Sequence, residues 1–356
     1  MSSTIKEVAR EAGVSVATVS RVINAKGPVR EETRARILEV ASRLGYTPHA
    51  AARSLITNKT GTVGVLLPDL YGEFFSEVIR GLDLAARRSG FHVLVSSSHS
   101  DRSEVEAVLR ALRGRVDGLI VMSPEVEAQS LEANLPETLP VVLLNCRVEG
   151  SAFDSINIDN YGGALAMGRH LIAQGHRRIA FVKGAPGNYD ALERLLGYRD
   201  AVEPLSSEGL EDLEIEGDFS QESGYRAGGT VLRLEPRPSA VFAANDAMAI
   251  GVLCALQEAG VRIPEEIAVA GFDDIPTARF ISPPLTSVRV GIAELGGRAM
   301  ERLLALMAAG DARDRHHEVL STTLVVRGSC GAKTEGSEGP EVNSAMDKLH
   351  RRRRVR

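Results

Sequence analysis

From residue 62 onward, short unbroken apolar runs alternate with stretches of helical period, and this alternation limits the folds open to the chain. Val63–Leu67, His92–Ser96, Gly118–Met122 and Val141–Leu144 read as strands, with Glu73–Ser89, Ser103–Gly114 and Glu125–Asn134 as helices after the first three. The pattern then recurs. Ile179–Val182, Ala240–Ala244 and Ile267–Gly271 read as strands, and Asp190–Val202, Glu222–Leu234 and Asp246–Ala259 as helices. Strands that are apolar throughout need cover on both faces, which parallel sheets flanked by helices provide. Two such runs predict two α/β lobes of similar build. Ser155–Asp159 and Leu285–Val290 are short extended segments suited to crossing between them, and a helix Ile292–Ala309 and a strand Val319–Val326 follow.

The first 46 residues follow a different rule. Thr4 is placed to cap a helix from Ile5 to about Glu11, with Glu7 completing a capping box. Gly13 ends that helix, and Ser15 caps a second one carrying Val16, Val19, Val22 and Ile23. Asn24–Pro28 has loop chemistry, and a third helix runs from about Glu31 to Leu44, closed by Gly45. Helix, glycine turn, hydroxyl-capped helix is the pattern of a helix-turn-helix. The second helix would enter a major groove, with Val16, Ala17 and Arg21 at base edges. Arginine grips guanine by two hydrogen bonds, whereas valine and alanine offer only apolar contact. Thr4, Ser15, Thr18 and Ser20 are hydroxyls suited to phosphate oxygens, which fix register. On periodicity alone, a plain three-helix bundle with a solvated Arg21 fits as well.

Charge separates the two readings. The formal net charge is −5. Residues 1–60 hold ten Lys/Arg against five Asp/Glu, and residues 331–356 hold seven against four, so the stretch between them is strongly acidic. A basic head on an acidic body points to a polyanionic partner. Pro48–Leu55 has helical propensity but spans about two turns, too short to be stable alone. Residues 331–356 are rich in Gly, Ser, Glu and Pro before Arg351–Arg354 and read as a disordered basic tail. That tail serves either to add nonspecific DNA affinity or simply to solubilise.

No apolar run reaches the ~18 residues of a membrane helix, and the start lacks a signal-peptide core, so a cytoplasmic protein without membrane contact is expected. Cys146, Cys254 and Cys330 are far apart and are expected to be buried reduced thiols. His316-His317 would face opposite sides of an extended segment, so no metal site is expected. No Gly-x-Ser-x-Gly, Walker or His-Glu-x-x-His motif occurs, so neither an enzyme nor a cofactor is expected. A periplasmic sugar-binding protein shares the two-lobed build but not the basic head.

The run Thr4-Ile5-Lys6-Glu7-Val8-Ala9-Arg10-Glu11-Ala12-Gly13-Val14-Ser15-Val16-Ala17-Thr18-Val19-Ser20-Arg21-Val22-Ile23-Asn24 resembles the signature of the lactose-repressor (LacI/GalR) family. Leu44–Pro48, Ala52–Leu55, Gly118–Ile120, Gly175-His176, Gly217–Phe219, Asn245–Ala249, Gly271–Asp274 and Pro283–Val288 match further landmarks in order, over about residues 3–330. The resemblance implies an α/β fold with a helix-turn-helix head at 1–47, a hinge helix and linker at 48–60, and a two-lobed periplasmic-binding-protein-like domain at 61–330. It implies a homodimer on double-stranded operator DNA, most often as a repressor. In the hinge, Leu55 would wedge into a central minor-groove step with Ala52 and Arg53 along the groove floor. Apolar wedges of this kind kink the duplex. Ile56 stands where some relatives carry a lysine, so one minor-groove contact is missing.

For the effector, the resemblance implies a site formed by Phe74, Phe75, Asp159, Asn188, Asp190, Arg194, Phe219, Asn245 and Asp273. Chemically this is a sugar-like set, since carboxylates, amides and a guanidinium satisfy hydroxyls while phenyl rings stack on apolar faces. Arg194 and Asp273 have an alternative use as a salt bridge between the lobes. Asn188 stands where purine-sensing members carry arginine, which points away from a purine. Other members answer to a phosphorylated carrier protein through basic residues on the helix equivalent to Ile292–Ala309. Here Glu294, Arg298, Glu301 and Arg302 mix signs, which disfavours that partner.

Overall fold

The structure, a computed structural model, describes residues 3–23, 27–46, 59–99, 101–124, 135, 138–146, 153–206, 213–309 and 315–332. The chain divides into two units, one of residues 1–62 with 112–117, the other of residues 63–111 with 118–356. The hinge residues Ala52, Arg53 and Leu55, the expected helix Glu125–Asn134 and nearly all of the tail lie outside the described residues.

In the first unit, helices α1 (Ile5–Glu11), α2 (Val16–Ile23) and α3 (Glu31–Arg43) surround Val8, Ala9, Ala12, Val19, Val22, Ile37, Val40 and Ala41. Burying each larger member of such a set contributes about 1.5–3 kcal/mol relative to exposure. The caps form as expected. The Thr4 and Glu7 side chains accept from each other's backbone N–H, which holds the Glu7 carboxyl below its ordinary pKa. Ser15 Oγ accepts from Thr18 N at 3.1 Å. Gly13 adopts φ +64°, a conformation costly for a residue with a Cβ, and so permits the tight turn between α1 and α2. A salt bridge of 2.7 Å from Arg43 to Glu11 ties α3 to α1.

The second unit holds two six-stranded sheets. The first contains β1 (Thr62–Leu67), β2 (His92–Ser97), β3 (Gly118–Met122), β4 (Val141–Leu144), β5 (Asp154–Ile158) and β11 (His317–Leu320), in the order β11-β5-β4-β3-β1-β2. The second contains β6 (Ile179–Val182), β7 (Leu213–Ile215), β8 (Ala240–Ala243), β9 (Ala268–Asp273), β10 (Thr286–Arg289) and β12 (Thr323–Val325), in the order β12-β10-β9-β8-β6-β7. Both wind alike: the first strand lies inside the second, and later strands add on its other side. Their inner pairs are parallel, and β12 runs antiparallel to β10.

Helices α4 (Glu73–Arg88), α5 (Arg102–Leu112) and α10 (Ile292–Ala309) belong to the first lobe. Helices α6 (Asn160–Ala173), α7 (Tyr189–Ser206), α8 (Gln221–Arg233) and α9 (Asp246–Glu258) belong to the second. There the core stacks Tyr198 on Phe181, centroids 4.7 Å apart, with the Tyr198 hydroxyl donating to Ile179 O at 2.8 Å.

The chain crosses between lobes three times, at 158–160, 289–292 and 320–323. Four expectations need correction. Val319–Val326 is not one strand: residues 317–320 complete the first sheet and 323–325 the second. The strand expected at Ile267–Gly271 runs on to Asp273. Helix α6 and strand β7 were not foreseen. Cys254 is exposed, while Cys146 and Cys330 are buried.

Candidate recognition helix and effector cleft

On α2, the apolar face is spent on the head's core, with Val19 fully buried and Val22 nearly so. The opposite face leaves Ser15, Val16, Ala17 and Arg21 exposed together. Val16 is 41% exposed and so is open to apolar contact with a partner. Thr4 is also exposed, while Thr18 and Ser20 are half-buried. Ser15 Oγ and Thr18 Oγ1 lie 2.9 Å apart, so both hydroxyls stay at the helix start.

Between the lobes lies a cleft of about 560 Å³ at the carboxyl ends of β1, β3, β6, β8 and β9. This is the place where wound α/β sheets bind ligands. The first lobe supplies Phe74 and Phe75, packed edge to face at 5.4 Å, from the first turn of α4. The second supplies Asn188, Asp190, Arg194, Phe219, Asn245 and Asp273. Of the expected residues, Asp159 is not brought to the cleft lining. It caps α6 instead, accepting from Gly162 N at 2.8 Å.

Arg194 organises the cleft floor. It is 3% exposed. Its Nε donates to Asn160 Oδ1 at 2.8 Å and its Nη1 to Ala244 O at 2.6 Å, while Asn160 Nδ2 donates to Asp190 Oδ1 at 2.9 Å. Arg194 and Asp273 do form an ion pair, at 3.1 Å, but α7 and β9 both belong to the second lobe, so it does not bridge the lobes. Although Arg194 Nη1 stands 3.1 Å away, Asp273 Oδ1 takes no well-aligned hydrogen bond. A ligand hydroxyl or a water is placed to supply that bond. Burial pushes the Asp273 carboxyl up to about 6, with Arg194 opposing the rise. Asp273 also holds φ +108°, a strained conformation of the kind that collects at binding sites.

Two features escaped sequence reasoning. Glu73, at the start of α4, accepts hydrogen bonds from Thr277 N (2.9 Å) and Thr277 Oγ1, which joins the lobes across the cleft. Asp246, directly after Asn245, is fully buried and accepts from Ser287 Oγ and Ile275 N. Burial, then the Asp273 charge, raises its pKa well above the ordinary value. The Asn245-Asp246 pair was visible in sequence; no local signal shows that Asp246 points inward.

Elsewhere, the basic residues of α10 are engaged. Arg298 pairs with Glu318 at 3.1 Å and Glu294 at 3.4 Å, and Arg302 pairs with Asp154 at 2.5 Å. His317 meets Ser155 and His316 meets Glu318. Among the described residues no group of three His, Cys, Asp or Glu side chains stands close enough to hold a metal, and no helix is long and apolar enough to cross a membrane.

Comparison with known proteins covers the segments that carry both sites. Residues 4–49 match the family of bacterial regulatory proteins, lacI family, and residues 169–330 match a periplasmic binding protein-like domain. The HTH-type transcriptional repressor PurR of Edwardsiella ictaluri (strain 93-146) is 37% identical over 305 residues, 85% of this chain and 89% of that protein. Catabolite control protein A of Priestia megaterium is 35% identical over 311 residues, 86% of this chain and 93% of that protein. Among solved structures, the lac repressor dimer bound to operator and the anti-inducer ONPF has a TM-score of 0.83 and 29% identity, covering 93% of this chain and all of that one. The complex of transcriptional regulator CelR with cellobiose has a TM-score of 0.67 and 32% identity, covering 92% and 99%. The chain therefore belongs to the LacI family of bacterial transcriptional regulators, and it is a DNA-binding regulator rather than an enzyme.

Proposed function

We propose that the chain binds a palindromic operator as a homodimer and that a sugar-type metabolite in the inter-lobe cleft sets its DNA affinity. Val16, Ala17 and Arg21 read base edges, and Thr4, Ser15, Thr18 and Ser20 hold phosphates. Ala52, Arg53 and Leu55 engage the minor groove. The effector is held by Asn188, Asp190, Arg194, Asn245 and Asp273 between the rings of Phe74, Phe75 and Phe219.

One observation carries the effector reading: Asp273 is buried in the cleft, ion-paired with Arg194, and its Oδ1 takes no well-aligned hydrogen bond from the protein. A ligand hydroxyl placed there supplies an aligned donor to a buried carboxylate. By touching both lobes it favours one lobe angle, and only such differential affinity shifts a two-state protein. The CelR complex holds a disaccharide, and a family member from Enterococcus faecium with a TM-score of 0.68 holds ribose, which supports a carbohydrate here. The test is DNA-binding titration with and without candidate sugars, on the natural chain and on Asp273→Ala. The reading expects a metabolite that changes the operator affinity of the natural chain and not of the variant. An equal response in both would place the effector elsewhere.

A further inference from the structure

We infer that the cleft takes an uncharged or amine-bearing polyhydroxy ligand and excludes its phosphate and carboxylate counterparts; this rests on the cleft being the effector site. Among the described residues its lining carries five carboxylates, Asp69, Glu73, Asp190, Asp218 and Asp273, against one guanidinium, Arg194. Outside the lining, Arg226 stands 3.6 Å from Asp218, and Arg289 and Arg327 are each paired with Asp274 at 2.6 Å. Arg194 and Arg226 together leave the five lining carboxylates in excess.

Arg194, the one cation among the described lining residues, is not free to take an anion. Arg194 gives Nε to Asn160 and Nη1 to Ala244, pairs with Asp273, and lies with its guanidinium carbon 3.9 Å from the centre of the Phe272 ring. Moving it onto a phosphate would strip Asp273 of its partner in a buried place, which leaves an uncompensated charge.

Helix N-termini are the other source of anion affinity, and several face this cleft. Three of them are already capped from within. Asn188 Oδ1 accepts from Ala191 N at 3.0 Å, Ser220 Oγ from Ser223 N at 3.0 Å, and Asn245 Oδ1 from Met248 N at 2.9 Å. The fourth, at α4, carries Glu73 in its own first turn. Three of these N-termini thus spend one backbone N–H on the protein's own oxygen, and the fourth has an acidic side chain beside it.

What the cleft offers is acceptors. Carboxylate oxygens and Asp273 Oδ1 take hydrogen bonds from hydroxyls or from an ammonium group, and the phenyl rings cover apolar ring faces. A ligand bringing its own negative charge would meet like charges at close range in a partly dehydrated site, where screening is weak.

The test is calorimetric titration of the full chain with matched sets: glucose, glucosamine and glucose 6-phosphate; ribose and ribose 5-phosphate; adenosine and adenosine monophosphate. In parallel, a bacterial metabolite extract is split on an anion exchanger and each fraction is assayed by thermal shift on the natural chain and on Asp273→Ala. The inference expects any binding set to rank its ester at least about tenfold (about 1.4 kcal/mol) below its parent. It expects the stabilising activity in the unretained fraction, absent with Asp273→Ala. A phosphate ester that binds as tightly as its parent, or activity confined to the retained fraction and lost in Asp273→Ala, overturns the charge selection and keeps the cleft as the effector site. No shift from either fraction, or one that persists in Asp273→Ala, overturns the effector reading along with it.

Discussion

Arg194 Nη1 stands 3.1 Å from Asp273 Oδ1 while its guanidinium carbon lies 3.9 Å from the centre of the Phe272 ring. Both side chains are almost wholly buried, so each depends on the other for charge balance. Removing one partner of such a pair typically costs about 3–5 kcal/mol, much of it the unpaired charge left behind. Arg194→Ala is therefore expected to destabilise the two-lobed unit by about that amount, and Arg194→Ala with Asp273→Ala by less than the single change. Urea unfolding of the natural chain and the three variants measures this. Additive losses would show that the pair does not act as a unit.

The Asp273 carboxyl titrates near 6 in the folded protein, against 3.8 for an ordinary aspartate. The folded state therefore binds a proton that the unfolded state has released, and folding is favoured as pH falls from neutrality toward 4. The contribution is absent above about pH 7 and amounts at most to about 3 kcal/mol near pH 4. Asp246, also raised, acts in the same direction. Asp273→Asn should flatten the pH dependence of unfolding between pH 4 and 7 relative to the natural chain. Parallel curves for the two would reject the assignment.

Glu73 and Thr277 join the lobes at the cleft through bonds to both the hydroxyl and the backbone N–H of Thr277. Thr277→Val removes one bond and keeps the side-chain shape; Glu73→Ala removes both. Effector affinity should fall in that order, by roughly 0.5–1.5 kcal/mol for the first change. Calorimetric titration with the identified effector gives the ranking, and an unchanged affinity in Glu73→Ala would show that this contact takes no part in closure.

Arg21 is exposed beside Val16 and Ala17 on the free face of α2. Arg21→Ala should weaken binding to the selected operator by about 1–3 kcal/mol while leaving random duplex nearly unaffected. Fluorescence anisotropy on both duplexes decides. An equal loss on each would make Arg21 a phosphate contact.

Much of this architecture was legible in the sequence because strands such as Gly118–Met122 and Ile179–Val182 are apolar throughout and flanked by clear helices. The capping box at Thr4 and Glu7 is equally local. Helix α6 escaped because Gly162, Gly163 and Gly168 lower its propensity. Gly168 lies where a Cβ would collide with the Ala201 side chain, so glycine there serves packing against α7. The break between β11 and β12 is set by which sheet has room at its edge, a property of the whole topology. Asp159 read as a ligand residue because its sequence neighbourhood matched; in the structure its Oδ1 accepts from Gly162 N and it lies outside the cleft lining. The Glu73–Thr277 pair lies 204 residues apart in the chain, beyond any local pattern.

The central claim is that a pair of these heads reads a symmetric duplex. Repeated selection from a random duplex library with the purified full chain, followed by sequencing, addresses it directly. The account predicts an inverted-repeat consensus that Arg21→Ala blurs at one position of each half. Enrichment of a single unrepeated half-site, or of no consensus with any metabolite present, would contradict it.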